Sequence, residues 1–281
     1  MTAVSRRNVP IRRAAGAALR DDIDRVAVEE PLEIRVGFAG EDRPPESLVV
    51  TMRTPGHDTE LARGFLFTEG LIGSAADLLA LRPGPPDAGG DNVIEVELRA
   101  GLQERFRHLR RNFLTNSSCG ICGKASLEAL RARATLAVRG DELRVPTRLL
   151  LGLPSALLAR QPTFAATGGL HAAALFDAAG TILDVREDVG RHNALDKLIG
   201  AALAADRLPL WNTGILVSGR SSFEIIEKAR MAGCPMVVAV GAPSSLAIEA
   251  AWESDITLVG FLREGRFNVY SVPARIADTG A

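Results

Sequence analysis

Cys119 and Cys122 are the residues of this chain best suited to covalent chemistry. They sit in the run Thr115-Asn116-Ser117-Ser118-Cys119-Gly120-Ile121-Cys122-Gly123-Lys124. Two thiols three positions apart can meet one metal, close a local disulfide or share a sulfur. Gly120 and Gly123 permit a tight, mobile loop. Lys124 and the helical pattern that begins at Ser126 both favour thiolate over thiol. Such polar, glycine-rich surroundings argue against two buried cysteines used as small apolar residues. Three chemistries compete. A zinc module takes about four N/S ligands, but only Cys234 and four histidines remain, with no second close pair. In the zinc deaminase signature H-x-E accompanies P-C-x-x-C; here Ser118 replaces the Pro, and no His has Glu two residues on. A dithiol-disulfide oxidoreductase places its pair directly after a buried strand, whereas residues 112–118 are mostly polar. A persulfide carrier needs one exposed nucleophilic cysteine, a mobile loop and a second site for the sulfur acceptor. Cys234, ahead of Pro235 and an apolar run, reads as structural.

A second site is suggested by four polar, glycine-bearing segments: Thr167-Gly168-Gly169-Leu170-His171, Gly190-Arg191-His192-Asn193, Ser218-Gly219-Arg220-Ser221-Ser222 and Gly241-Ala242-Pro243-Ser244-Ser245. Each falls at an expected strand end or helix start. Ligands of open α/β sheets bind beyond the carboxyl ends of the strands, where free backbone N–H groups hold anions. Arg191 and Arg220 suit bidentate phosphate contact. No segment matches a P-loop or a full dinucleotide fingerprint, and His171 and His192 read equally well as structural histidines. Together the four segments point to a ligand bearing phosphates.

Positioning these residues calls for helices and strands in alternation. Residues 1–25 read as a flexible tail, with Arg6, Arg7, Arg12 and Arg13 solvated. Residues 26–114 read as a smaller α/β subdomain, with strands over 32–38, 48–52 and 93–98. A capped helix opens at Asp58 and stops at Gly70, and 82–91 reads as a Pro/Gly loop. Residues 115–281 read as the main domain behind the C-x-x-C loop. There a hairpin turns at Asp177-Ala178-Ala179-Gly180, and a helix from Gly190 carries Leu195, Leu198, Ile199, Ala202 and Leu203 on one face. Further strands cover 213–217, 236–240, 256–261 and 267–271. Ser221-Ser222-Phe223-Glu224 reads as a capping box, and Ser244-Ser245 as a second helix start. The alternation implies βαβ units and a partly parallel sheet.

The composition sets outer bounds. With 281 residues, 47% hydrophobic and 24% charged, the chain can bury one large core or two modest ones. A net charge of -1 gives no global field for nucleic acid or an acidic membrane. No apolar stretch approaches the roughly 20 residues of a membrane span. The N-terminus lacks an apolar signal core, and three cysteines make no disulfide framework. A cytoplasmic location is expected.

The sequence resembles the formate dehydrogenase accessory sulfurtransferases, the FdhD family, from about residue 30 almost to its end. The resemblance rests on 118–124, on Thr167-Gly168-Gly169-Leu170-His171 and on Ser218-Gly219-Arg220-Ser221-Ser222. Its most specific motif is the long run Glu187-Asp188-Val189-Gly190-Arg191-His192-Asn193-Ala194-Leu195-Asp196-Lys197, and 56–61 and 267–270 add to it. It implies a carrier that accepts persulfide sulfur from a cysteine desulfurase. The carrier passes this sulfur to the molybdenum cofactor, as bis(molybdopterin guanine dinucleotide), before insertion into formate dehydrogenase. By the resemblance Cys119 carries the persulfide and Cys122 assists. The cofactor is a bound substrate, and no permanent metal is expected. It is contacted by Phe261, Leu262, Arg263, Glu264, Gly265 and Arg266. Gly168, Gly169, His171, Arg191, His192, Asn193, Ser218, Gly219, Arg220 and Ser221 are the weaker candidates. The resemblance also implies a homodimer and a cytidine deaminase-like, three-layer α/β domain with a mixed, partly parallel sheet.

Overall fold

The structure, a computed structural model, describes residues 4–88, 90–115, 136, 138 and 142–277. Cys119 and Cys122 lie outside the described residues.

The chain opens with strands β1 (Arg6–Ala15) and β2 (Ala18–Ala27), paired antiparallel. The expected tail is therefore a hairpin from Arg6 onward. Gly16, at φ 61, supplies the left-handed turn position between them. None of their residues is buried, so no core-facing period reveals them. They are matched by charge: Arg12 lies 3.6 Å and Arg13 2.5 Å from Asp21 and Asp22 of the opposite strand.

Four strands form the next sheet in the order β4-β3-β6-β5: β3 (Glu30–Phe38), β4 (Glu46–Arg53), β5 (Leu78–Pro83) and β6 (Val93–Leu98). The expected 82–91 loop thus begins as the end of an edge strand; Arg82 and Pro83 pair with Glu95 and Ile94. Helix α1 (Asp58–Thr68) and helix α2 (Gln103–Thr115) pack on this unit.

The larger sheet has six strands in the order β13-β12-β11-β10-β8-β9. They are β8 (His171–Asp177), β9 (Ile182–Asp188), β10 (Thr213–Val217), β11 (Met236–Ala239), β12 (Thr257–Arg263) and β13 (Arg266–Ser271). The three central strands β10, β11 and β12 are parallel and the others antiparallel, so the sheet is mixed. Helices α6 (Phe223–Met231) and α7 (Ser245–Glu253) make the two parallel crossovers. Together with α5 (Arg191–Ala204) they cover one face. Helix α3 (Thr147–Leu158) covers the other through Leu150, Leu153 and Leu157. A short helix α4 (Pro162–Thr167) leads into β8. The tiny parallel pair β7 (Val145–Pro146) and β14 (Ile276–Ala277) closes the chain. This is a helix–sheet–helix sandwich, and the α/β expectation holds for it.

The two units are clamped by α1 against α5. A side chain at Gly64 would drive its Cβ into the Asp196 carbonyl, and one at Gly200 into that of Glu60. Only glycine lets these backbones approach so closely. Across the same contact Lys228 bonds both Asp196 carboxylate oxygens at 3.0 Å and Thr68 Oγ1 at 2.8 Å. All the helix positions expected to face inward, from Leu195 to Leu203, are buried.

Candidate functional site

The strand directions bring the predicted segments to one edge of the six-stranded sheet. Beta strands β10 and β11 end there, at Val217 and Ala239, and β8, antiparallel to β10, begins there at His171. His171 pairs with Asp188 at the end of β9. Ser218-Gly219-Arg220-Ser221 follows β10, and Gly241-Ala242-Pro243 follows β11. These two loops interlock: Gly241 N–H donates to Gly219 O at 2.9 Å, Ser221 N–H to Ala242 O at 3.2 Å, and Ser244 N–H to Ser221 O at 3.0 Å. A Cβ on Gly241 would stand 2.8 Å from Gly219 O, so the interlock requires glycine there.

Around Gly219 the candidates converge. A Cβ on it would meet His171 Nδ1 at 3.3 Å and the Arg191 Cδ at 3.7 Å. Arg191 Nε and Ser221 Oγ are both buried with no hydrogen-bond partner among the described residues. Buried polar groups without partners are rare and call for an explanation. Ser218 is spoken for: its Oγ accepts from Ala172 N–H at 2.8 Å. Arg220 is exposed. Burial, then the charge of Arg191, then that of His192, hold His171 below the usual imidazole range. Its ring is thus biased toward the neutral form beside a cationic guanidinium.

His192 belongs to a separate dyad. Its Nε2 is 2.9 Å from Glu224 Oε2 and 3.3 Å from Ser222 Oγ. The hydrogen bond from His192 keeps the Glu224 carboxyl below the usual carboxylate range, against the opposing effect of burial. This dyad corrects the expected capping box. Ser222 is the N-cap of α6, but its side chain makes no cap hydrogen bond, and its hydroxyl faces His192 instead. At α7 the expected cap forms, with Ser244 Oγ accepting from Ala247 N–H at 3.2 Å.

The first turn of α5, which carries Arg191 and His192, is fixed by Asn193 together with Glu187, Asp188 and Lys197, three residues not among the expected site residues. Asp188 is fully buried, 2.7 Å from the equally buried Lys197 Nζ. Its oxygens also accept from Thr54 N–H at 3.1 Å, Gly190 N–H at 2.8 Å and Asn193 Nδ2 at 3.2 Å. Asn193 donates to Met52 O at 2.8 Å as well, so it acts as a brace. Glu187 accepts from Thr163 and Phe164 N–H at 3.0 and 2.7 Å, at the start of α4. That start leads to Gly168, at φ 68, and Gly169, both exposed. The signal was in the sequence, in acid-acid-x-Gly-Arg-His-Asn with a lysine nine positions after the aspartate.

The expected cofactor run is divided. Phe261 N–H donates to Gly241 O at 3.0 Å, which ties the run to the same edge, and Phe261 is 43% exposed with its backbone at φ 53. Leu262 is buried among apolar residues on the α3 side and cannot reach a ligand at the edge. Arg263 Nη1 donates to Val240 O at 2.6 Å. Glu264, Gly265 and Arg266 are exposed around the turn into β13, with Gly265 at φ 78. Among the described residues no group of three or more His, Cys, Asp or Glu is arranged to hold a metal ion, and no helix is long and apolar enough to cross a membrane.

The carboxyl edge of this mixed sheet thus presents glycine-bearing loops together with two buried atoms, Arg191 Nε and Ser221 Oγ, that have no partner among the described residues. The comparisons give the family. The model of the FdhD/NarQ family matches residues 27–277, and the chain belongs to that family. It is 51% identical over 280 residues to the sulfur carrier protein FdhD of Mycolicibacterium paratuberculosis, an alignment covering 98% of this chain and 100% of that one. It is 43% identical over 255 residues to the sulfur carrier protein FdhD of Saccharolobus solfataricus, covering 91% of this chain and 92% of that one. Its fold is shared with a crystal structure described as a candidate formate dehydrogenase accessory protein from Desulfotalea psychrophila. The TM-score is 0.72 at 23% identity, with 98% of this chain and 100% of that chain covered.

Proposed function

We propose that this chain is a sulfur carrier for formate dehydrogenase. It takes persulfide sulfur from a cysteine desulfurase onto Cys119 and hands it to the molybdenum cofactor in its bis(molybdopterin guanine dinucleotide) form. Family membership and the names of its relatives support the carrier role. The observation that carries the cofactor half is the pair of buried, unpartnered atoms, Arg191 Nε and Ser221 Oγ, beside Gly219 at the sheet edge. A pyrophosphate satisfies both as a hydrogen-bond acceptor and offsets the guanidinium charge. The exposed ring of Phe261 suits stacking on a guanine. Leu262 drops out of this reading, and Arg263 enters it only if it leaves Val240.

In loading, the Cys119 thiolate attacks the outer sulfur of the donor's persulfide. The new Sγ–S bond forms as the donor's S–S bond breaks, and the donor cysteine leaves as thiolate. In delivery, the Cys122 thiolate attacks Cys119 Sγ. A Cys119–Cys122 disulfide forms, the outer sulfur leaves at the sulfide level for molybdenum, and a thiol reductant then restores the carrier. We extend the reading to a cytidine deaminase-like core, a homodimer and a cytoplasmic site of action. The test is complementation of a strain that lacks its own carrier. The wild-type chain should restore formate dehydrogenase activity and Cys119→Ala should not. Full restoration by Cys119→Ala would end the proposal.

A further inference from the structure

Helix α2 has two contrasting sides. Its inner side, Leu102, Phe106 and Leu109, is buried on the four-stranded unit. Its outer side is basic. At about 100° per residue, Arg107, Arg111, His108 and Arg105 fall on one arc of about 160°, and all four are exposed. Glu104 is the only acid on that arc. Arg105 and Arg107 have no carboxylate within ion-pair distance among the described residues, with Glu41 acting on Arg107 only at longer range, while Arg110, off the arc, is paired with Glu46. The chain as a whole has a net charge of -1, so this face is a local positive field. It also borders a cleft of about 610 Å³, lined by Glu104, Arg105, His108 and Arg111 from α2 and by 69–73 opposite.

Position gives this field a use. Thr115 ends α2 and Cys119 follows four residues later. Four residues span at most about 14 Å, and Arg105 to Thr115 rises about 15 Å, so whatever docks on this face lies within about 30 Å of the thiol along the chain. We infer that the outer face of α2 is the docking surface for an acidic face of the protein that donates persulfide sulfur to Cys119. The inference rests on the carrier reading above. Charge complementarity of this kind acts mainly on encounter rate, and salt weakens it.

The test loads the full-length protein in two ways. One donor is a cysteine desulfurase charged with cysteine, kept below saturation at low and at physiological ionic strength. The other is glutathione persulfide, which needs no docking surface. The variant is Arg105→Glu with Arg107→Glu; both side chains are exposed, and loading by the small persulfide reports on its fold. The wild-type rate with the desulfurase should fall as salt rises. The variant should lose roughly tenfold at low salt and most of its salt dependence, with the glutathione persulfide rate unchanged. An unchanged desulfurase rate with unchanged salt dependence overturns the docking surface. So does normal loading with failed delivery to formate dehydrogenase, which would assign the face to the client. If neither donor loads wild-type Cys119, the carrier reading falls and takes this inference with it.

Discussion

Asp188 and Arg191 stand three residues apart at one corner of the sheet, and their surroundings differ in kind. Asp188 is surrounded by Lys197 and three hydrogen-bond donors. Arg191 keeps a buried Nε with no partner among the described residues, as Ser221 does its hydroxyl. A satisfied buried network is architecture, and it fixes one backbone path. An unsatisfied one beside it costs stability unless a ligand completes it. The corner therefore divides into a part that holds the backbone and a part that the proposed ligand would complete.

Breaking the holding part should produce the largest effect. Asp188→Ala leaves Lys197 buried without its counter-charge, and the fold should lose about 3–5 kcal/mol, read as a lower denaturation midpoint. A loss within the range of ordinary surface changes would show that the contrast is false. Breaking the other part should do the reverse. Arg191→Ala should leave the melting temperature unchanged or slightly raised, because it removes a buried unpartnered group. It should weaken binding of guanosine diphosphate, a fragment of the proposed substrate, by roughly tenfold or more, measured by calorimetry. Equal affinity in wild type and variant would remove Arg191 from the site.

A subtler test uses pH at the joint between the two units. Burial pushes the Glu60 carboxyl up, but hydrogen bonds from His57 and Arg186 outweigh it and bring its pKa down to about 2. A carboxylate whose folded pKa lies below its unfolded value, 4.5 here, stabilises the fold above that unfolded value. The contribution is lost as pH falls from about 4.5 toward about 2. Glu60→Gln should therefore be less stable than wild type at neutral pH, by about 1–3 kcal/mol, and equal to it once pH falls below about 2. A constant difference across the range would contradict the pairing. The smallest effect is spectroscopic. Since Arg191 helps to depress the His171 pKa, Arg191→Ala should raise it, as an NMR titration of the ring protons would show.

The same contrast explains what could be read from the sequence. Where burial imposes a period, the elements stood out. Leu195 to Leu203 marked α5, the Asp177–Gly180 turn marked the β8–β9 hairpin, and alternating strands and helices marked the parallel β10–β12 core. Where charge replaces burial, the pattern failed. The β1–β2 hairpin is held by Arg12, Arg13, Asp21 and Asp22 rather than by an apolar face, and the outer side of α2 is an arc of basic residues. Side-chain roles were hardest to see. Ser221 and Glu224 fit the spacing of a capping box, but the N-cap of α6 is Ser222 and Glu224 pairs with His192. Leu262 sat inside an expected contact run and points to the opposite layer. Asp188 and Lys197 lie nine residues apart, and only the fold shows them to be one buried pair.

The most direct test of the carrier is mass spectrometry of the protein after incubation with a cysteine desulfurase and cysteine. The peptide that carries Cys119 should gain the mass of one sulfur. The addition should be removed by reductant and absent from Cys119→Ala. No added sulfur on the wild-type chain, or the same addition on Cys119→Ala, would contradict the carrier reading.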